Sequence, residues 1–388
     1  MKKIRLGDIA TLITKGTTPT TIGFSFVDTG INFVKIESIG DNGEFLPDKF
    51  AHITDECDKK LKRSQLEEND ILFSIAGAIG RTAIVPRNIL PANTNQALAI
   101  IRIPQNAINL RFVLYALQSQ SVEEQSEKQK QGVAQLNLSL KNIADILIPL
   151  VSSERQDEIV RNLDAVDAAI ALRKKQICLV DQLVKSRFIE LFESKSWDTI
   201  QAGSIMFNMR NGVSPSNTGS FPAKVLTLSA ITQGSFDPAA WKDGTFDSDP
   251  PIEKRVSASD FYMCRGNGNK NLVGAGVYSK EDRHDLVFPD TAIAASIDLQ
   301  KVCLPYLFHA WKRPAVREQI ERGARTTNGT YKINQRVVSN IELILPPMEL
   351  QEQFAAFVEQ VDKSKLAVQK GLQELEILKK SLMQQYFG

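Results

Sequence analysis

Compared with itself, the chain reads as one unit written twice, and no single motif constrains its fold as tightly. Residues 7–19 align without gaps on residues 203–215, and residues 110–117 match residues 304–311. Residues 132–137 match residues 329–334, Ile148-Pro149 matches Leu345-Pro346, and Arg155-Gln156 matches Glu352-Gln353. At the end of each copy, Leu183-Val184-Lys185-Ser186 with Phe192 matches Leu378-Lys379-Lys380-Ser381 with Phe387. The offset drifts only slightly, as a tandem duplication requires. Similarity is low inside the globular parts and higher at their edges, so the copies share a frame and differ over much of their surface.

Each copy ends in a long helical pattern. No glycine or proline occurs between Ser152 and Glu193, and apolar residues recur there at spacings of three and four. One seam position holds Leu163, Ile170, Ile177, Val184 and Leu191; the other holds Val166, Arg173, Val180 and Arg187. The second copy repeats this with Phe354, Val361, Val368, Leu375 and Leu382 beside Val358, Lys365, Leu372, Lys379 and Tyr386. Heptads sustained this long predict coiled-coil helices of roughly 40 residues, about 60 Å each. Pairing them buries both seams, at roughly 1.5–3 kcal/mol per Leu-sized side chain. Basic seam residues fit a stripe where long stems lie along the partner. The helices serve either as a brace alone or as a brace that also docks another protein. An antiparallel pair would carry two domains to opposite ends with pseudo-twofold symmetry.

The remaining residues read as two mixed α/β domains. Residues 31–36, 70–74 and 97–101, and in the second copy 224–228 and 260–264, are short β-rich runs bounded by turn formers. Residues 110–131 read as a helix closed by Gly132, and residues 304–321 as its counterpart. The predicted fold class is an α/β (α+β) tandem duplication, with domains at 1–150 and 197–348 and helices at 151–196 and 349–388.

Composition excludes several classes. At 43% apolar and 24% charged residues, disorder is not expected. No apolar run approaches the ~20 residues that span a bilayer, and the N-terminus does not read as a secretory signal. The four cysteines are scattered, which argues against a disulfide framework or zinc site. A cytoplasmic protein without a cofactor is the expectation. A net charge of +2 is low for a protein that coats nucleic acid through phosphate contacts alone. Any nucleic-acid face must concentrate its basic residues or share the task with a partner.

Enzymatic motifs are not found. Asp249-Pro250-Pro251-Ile252 resembles the (D/N)PP(Y/F/W) motif of amino-methyltransferases, but Ile252 lacks the aromatic ring that stacks a flipped base, so a turn is expected. Two glycine-rich stretches follow equivalent strands: residues 74–80, beside Arg81, and residues 265–270, which include Arg265 and Lys270. Neither fits a phosphate-loop pattern; each is either a tight turn or a turn that brings backbone N–H groups to phosphate. The three histidines do not align between copies, and His309 falls at an apolar helix position. The better candidates for DNA contact are basic and polar residues at equivalent places. One such place is the turn containing Lys15, Thr17 and Thr18, matched by Arg210, Asn211 and Ser214. The other is the loop after the last helix of each domain, with Lys128 and Lys130 in the first copy and Arg322, Arg325 and Lys332 in the second. Guanidinium and amide groups can contact base edges, although a solvated charged surface would carry the same residues.

Together these features resemble the specificity (S) subunit of type I restriction-modification enzymes. The resemblance rests on the two turns, on residues 131–140 running into Ile148-Pro149-Leu150, and on Glu154-Arg155-Gln156 opening the helix. Leu345-Pro346-Pro347 and Gln351-Glu352-Gln353 repeat the last two features. It implies a non-catalytic subunit with two target recognition domains, each reading part of an interrupted double-stranded DNA site. The helices would space them and dock methyltransferase (M) subunits, two in number, with restriction (R) subunits joining to cleave. An unrecognised DNA methyltransferase and a coiled-coil adapter without a DNA role are the alternatives.

Overall fold

A computed structural model describes residues 2–40, 42–104, 107–129, 137–216, 218–327 and 329–388. The chain forms two compact units, Met1–Lys174 with Lys370–Gly388, and Lys175–Gln369. Each unit takes in part of both long helices, Ser153–Phe188 and Met348–Phe387.

The first unit is built on an antiparallel sheet in the order Leu12–Lys15, Leu98–Arg102, Ile71–Ser74, Thr82–Ile84. Its two middle strands are almost wholly apolar because both faces are covered. Ile71, Phe73, Ala99 and Ile101 face a core that contains Phe112, Leu163 and Phe387. Leu72, Leu98 and Ile100 face a second core with Val34 and Ala92. That second core lies under a smaller sheet, Ala51–Ile53, Ile31–Val34, Ala92–Thr94, whose last two strands run parallel. The strands Lys3–Arg5 and Leu147–Pro149 pair beside it all, joining the start of the domain to the lead-in of the helix.

The second unit repeats this plan. Its central sheet is Met206–Asn211, Ala292–Ile297, Asp260–Cys264, Gly276–Tyr278. Phe261, Met263, Ile293 and Ala295 face the helix-side core, while Tyr262, Cys264, Ala292 and Ala294 face the other. The smaller sheet has four strands, and Thr199–Gln201 pairs with Glu342–Ile344 as in the first unit.

The seams read from heptad spacing are the faces that pack. Every seam position named above is buried or half-buried, and Leu163, Val166, Val184, Phe354, Val358 and Val361 are buried. In the first unit Asn162 Nδ2 donates to the Tyr386 hydroxyl at 3.0 Å, and Lys379 meets Asp167 at 2.6 Å. In the second, Lys365 meets Asp181 at 2.5 Å and the Phe188 and Phe354 rings lie 5.4 Å apart. Rising numbers on one helix meet falling numbers on the other, so the helical segments within each unit are antiparallel. The basic seam residues Lys365 and Lys379 reach partner carboxylates, as long stems at a half-open seam can.

Three expectations need correction. The single helix over residues 110–131 is two, Leu110–Leu117 and Gln120–Gln129, broken where the Ser119 hydroxyl bonds the Ala116 carbonyl at 2.6 Å. Gly132, its supposed cap, lies outside the described residues. Its counterpart breaks between Trp311 and Pro314, whose ring nitrogen has no hydrogen to donate. Strands at Leu12–Lys15 and Met206–Asn211 occupy what the sequence suggested only as the approach to a turn.

The third correction concerns register. Leu138 donates to Ile75 and Ile333 to Arg265, each at 2.9 Å; Ser139 and Asn334 then cap the next helices. Leu138-Ser139 thus corresponds to Ile333-Asn334, whereas letter matching pairs Asn137 with Asn334. Likewise Gln156 corresponds to Gln351 and not to Gln353. Gln156 Oε1 accepts the Asn109 N–H at 2.9 Å, and Gln351 Oε1 accepts the Cys303 N–H at 3.0 Å.

Candidate nucleic-acid interface

In each unit the loops at one end of the central sheet are laced together by backbone hydrogen bonds. In the first, Gly16 donates to Asn95 at 3.1 Å, Ile75 donates to Ala97 at 2.9 Å, and Leu138 closes on Ile75. In the second, Gly212 donates to Ala292 at 3.2 Å, Arg265 to Thr291 at 2.8 Å, and Ile333 closes on Arg265. The turn, the glycine-rich stretch and the segment before the last short helix are far apart in sequence. The fold brings them to one edge, twice.

Glycine is needed where the turn crosses the loop. A Cβ at Gly16 would lie 1.8 Å from the Thr94 carbonyl oxygen, and one at Gly212 would lie 2.1 Å from that of Phe288. No side chain fits between backbones that close.

The first unit's candidates are held differently from one another. Lys15 is exposed at the end of its strand, and Thr17 and Thr18 are half-buried in the turn. Thr18 donates its N–H to Gln96 Oε1 at 3.1 Å, and its hydroxyl donates to the same oxygen. Arg81 turns inward onto the carbonyls of Ile36 (3.3 Å) and Ile39 (2.8 Å), pinning the turn that precedes it. Lys128 is exposed in the last turn of its helix, in a cleft with Lys379 and Lys380. Lys130 lies outside the described residues.

In the second unit Arg210 is committed to the fold. It donates to the Glu253 carbonyl at 2.5 Å and pairs with the buried carboxylate of Asp260. The Asn211 carbonyl accepts from Lys254 at 2.7 Å, and Ser214 is exposed. Arg265 donates to the Asp290 carbonyl at 3.1 Å, tying the glycine-rich stretch to the loop beside the turn. Lys270 pairs with Glu321 at 3.2 Å, and Arg322 sits 3.9 Å from Glu318. Asp249 of the DPP turn is held by Arg255 at 2.7 Å, with Ile252 exposed beside it.

Arg325 and Lys332 are arranged otherwise. The loop read from the sequence is a β-ribbon, Arg325–Thr327 against Thr330–Lys332, joined by Gly266–Asn267 into a three-stranded sheet. Arg325 stands directly opposite Lys332, and Lys332 opposite Gly266. Tyr331 points to the other face and packs on the core. The missed signal was the dipeptide Asn328-Gly329 between β-forming residues, a strong hairpin cue; Gly329 has φ 73°. Gln96, which holds the first turn, carried no local signal, since its partner lies 78 residues away.

Comparison with known proteins agrees with this architecture. Residues 1–181 match the family described as type I restriction modification DNA specificity domain. The type I restriction enzyme EcoBI specificity subunit of Escherichia coli is 36% identical over 156 residues, covering 39% of this chain and 31% of that one. The match thus spans about a third of that relative's length. The S subunit of a type I restriction-modification system from M. genitalium superposes with a TM-score of 0.58 at 14% identity, covering 100% of this chain and 96% of the other. A chain from a structure on complex assembly and conformational transition of the type I R-M system gives 0.62 at 15% identity, covering 100% and 97%. At such identities these two establish the fold. Residues 1–181 are therefore similar to the type I restriction modification DNA specificity domain family, and the chain as a whole shares the fold of the M. genitalium S subunit.

Proposed function

We propose that this chain is the DNA-specificity subunit of a type I restriction-modification complex, with residues 1–150 and 197–348 as target recognition domains for the two parts of an interrupted site. The observation that carries this reading is the repeated loop edge. The same three segments converge in each unit on a shared backbone frame, while the side chains mounted on that frame differ. A common scaffold with dissimilar loops suits two readers of different sequence.

The helical segments, residues 151–196 and 349–388, set the interval between the half-sites and dock two methyltransferase subunits. Leu172, Leu179 and Leu183 are 57%, 51% and 52% exposed, and Leu366 and Ile377 are 68% and 69% exposed. Large apolar side chains held this open on long helices favour a protein partner. Methyl transfer, and cleavage where restriction subunits join, belong to those partners. Their surfaces also share the phosphate contacts, since a net charge of +2 leaves this chain little basic excess.

Selection from a randomised duplex library by the chain co-purified with its methyltransferase partner tests this. Two enriched half-sites at one fixed interval are expected. Binding without sequence preference would leave the chain an adapter and overturn the proposal.

A further inference from the structure

We infer that Arg325 and Lys332 form a phosphate clamp, through which the second domain grips the backbone of the duplex and does not read its bases. The inference rests on the DNA-specificity reading above and assigns its chemistry to one surface.

Side chains directly opposite on antiparallel strands share a face, so the Arg325 and Lys332 cations are held together on the open side of the ribbon. Both are exposed, and neither has a hydrogen-bond or ion-pair partner among the described residues. Like charges placed opposite one another destabilise a sheet. The carboxylates of the helix that precedes the ribbon already have basic partners: Glu321 holds Lys270 and Arg317, and Glu318 faces Arg322. Among the described residues no carboxylate pairs with the two cations, which leaves them open to an anion from outside. Tyr331, packed on the core from the opposite face, keeps the ribbon rigid. Gly266 leaves room for the Lys332 stem, since a Cβ there would lie 3.3 Å from Lys332 Cγ. At the equivalent place in the first unit Asn137 bridges Ala76, so an uncharged residue stands where Lys332 does. A two-stranded ribbon bearing two unneutralised cations is suited to a polyanion backbone, and a hydroxyl of Thr330 on the same face can add a hydrogen bond.

The test compares the assembled complex, wild type and Arg325→Gln/Lys332→Gln, binding its selected duplex over a range of salt. Each phosphate contact contributes about 0.9 to the slope of log affinity against log salt, so the double variant is expected to lose about 2 from it. The loss is expected to be equal on matched and mismatched sites, with half-site preferences unchanged. An unchanged slope would overturn the clamp, as would relaxed preference at a single base pair, which would make Arg325 a base reader. Arg325→Lys/Lys332→Arg is expected to keep the slope. Thermal melting of the Gln variant is expected to stay level or rise, because a repulsive pair is removed; a clear drop would mean the pair supports the fold. Sequence-specific binding by the wild type is measured in the same series, so failure of the specificity reading is seen separately.

Discussion

Gln351, fully buried near the start of the second long helix, accepts the Cys303 backbone N–H at 3.0 Å and donates to the Pro346 carbonyl at 2.8 Å. One amide side chain therefore fixes the helix to its own lead-in and to the N-cap of helix Leu304–Trp311. Gln156 makes the same two bonds to Asn109 and Val151. Replacing Gln351 with Leu strands buried donors and acceptors, at roughly 1–3 kcal/mol for each group left unpaired. Gln351→Leu is expected to lower stability by several kcal/mol in denaturant unfolding, and Gln353→Leu, two residues on and exposed, to cost under about 0.5 kcal/mol.

The glycines of the loop edge give a sharper contrast. Gly212→Ala forces a methyl into the Phe288 carbonyl and should destabilise by more than about 3 kcal/mol. Gly80→Ala meets nothing within 4 Å and bears only the cost of its positive φ of 92°, about 1 kcal/mol. Melting temperatures of the two variants should separate widely; similar values would mean the turn can move away from the loop.

His309 supplies a pH dependence. Burial, with Lys312 nearby, lowers its pKa from 6.5 to about 4, and its ring lies 5.2 Å from that of Phe354. The folded protein therefore keeps His309 neutral between pH 6.5 and 4 while the unfolded chain takes up the proton. Stability from this group is full above pH 6.5 and lost as pH falls toward 4, by up to about 3 kcal/mol. His309→Phe should flatten that part of the stability–pH curve, and an unchanged slope would assign it to other groups.

If the long helices set the interval, lengthening them changes the interval and nothing else. One heptad inserted into each adds about 10 Å, roughly three base pairs of B-DNA. Selection from a randomised library should return the original half-sites further apart. Altered half-site sequences would contradict the division of labour between helices and domains.

Leu172→Asp with Leu179→Asp should abolish co-purification of the methyltransferase partner. Both residues are more than half exposed, so the chain itself should lose under about 0.5 kcal/mol each. Retained co-purification would place the docking surface elsewhere.

The sequence revealed most where the cause is local. Heptad spacing picked out Leu163, Val184, Phe354 and Val361 as packing positions because a helix converts spacing directly into facing. The paired turns were legible because both copies keep a glycine that the crossing backbone demands. Arg210 was legible as basic but not as internal, since Asp260 reaches it from 50 residues away. The misplaced register at Asn334 has a chemical origin: Ser139 and Asn334 both cap a helix, and two different letters do one job. The ribbon carrying Arg325 was hidden inside what composition describes as a polar loop.

The first unit's core is completed by Tyr386 and Phe387, which pack against Phe112 and Leu163 from the last turn of the second helix. On the ribosome, that domain must wait for the second long helix to emerge before its hydrophobic interior can close. Its interior stays open until residues 386 and 387 have been made, and an intermediate released earlier would expose the very surface that invites aggregation.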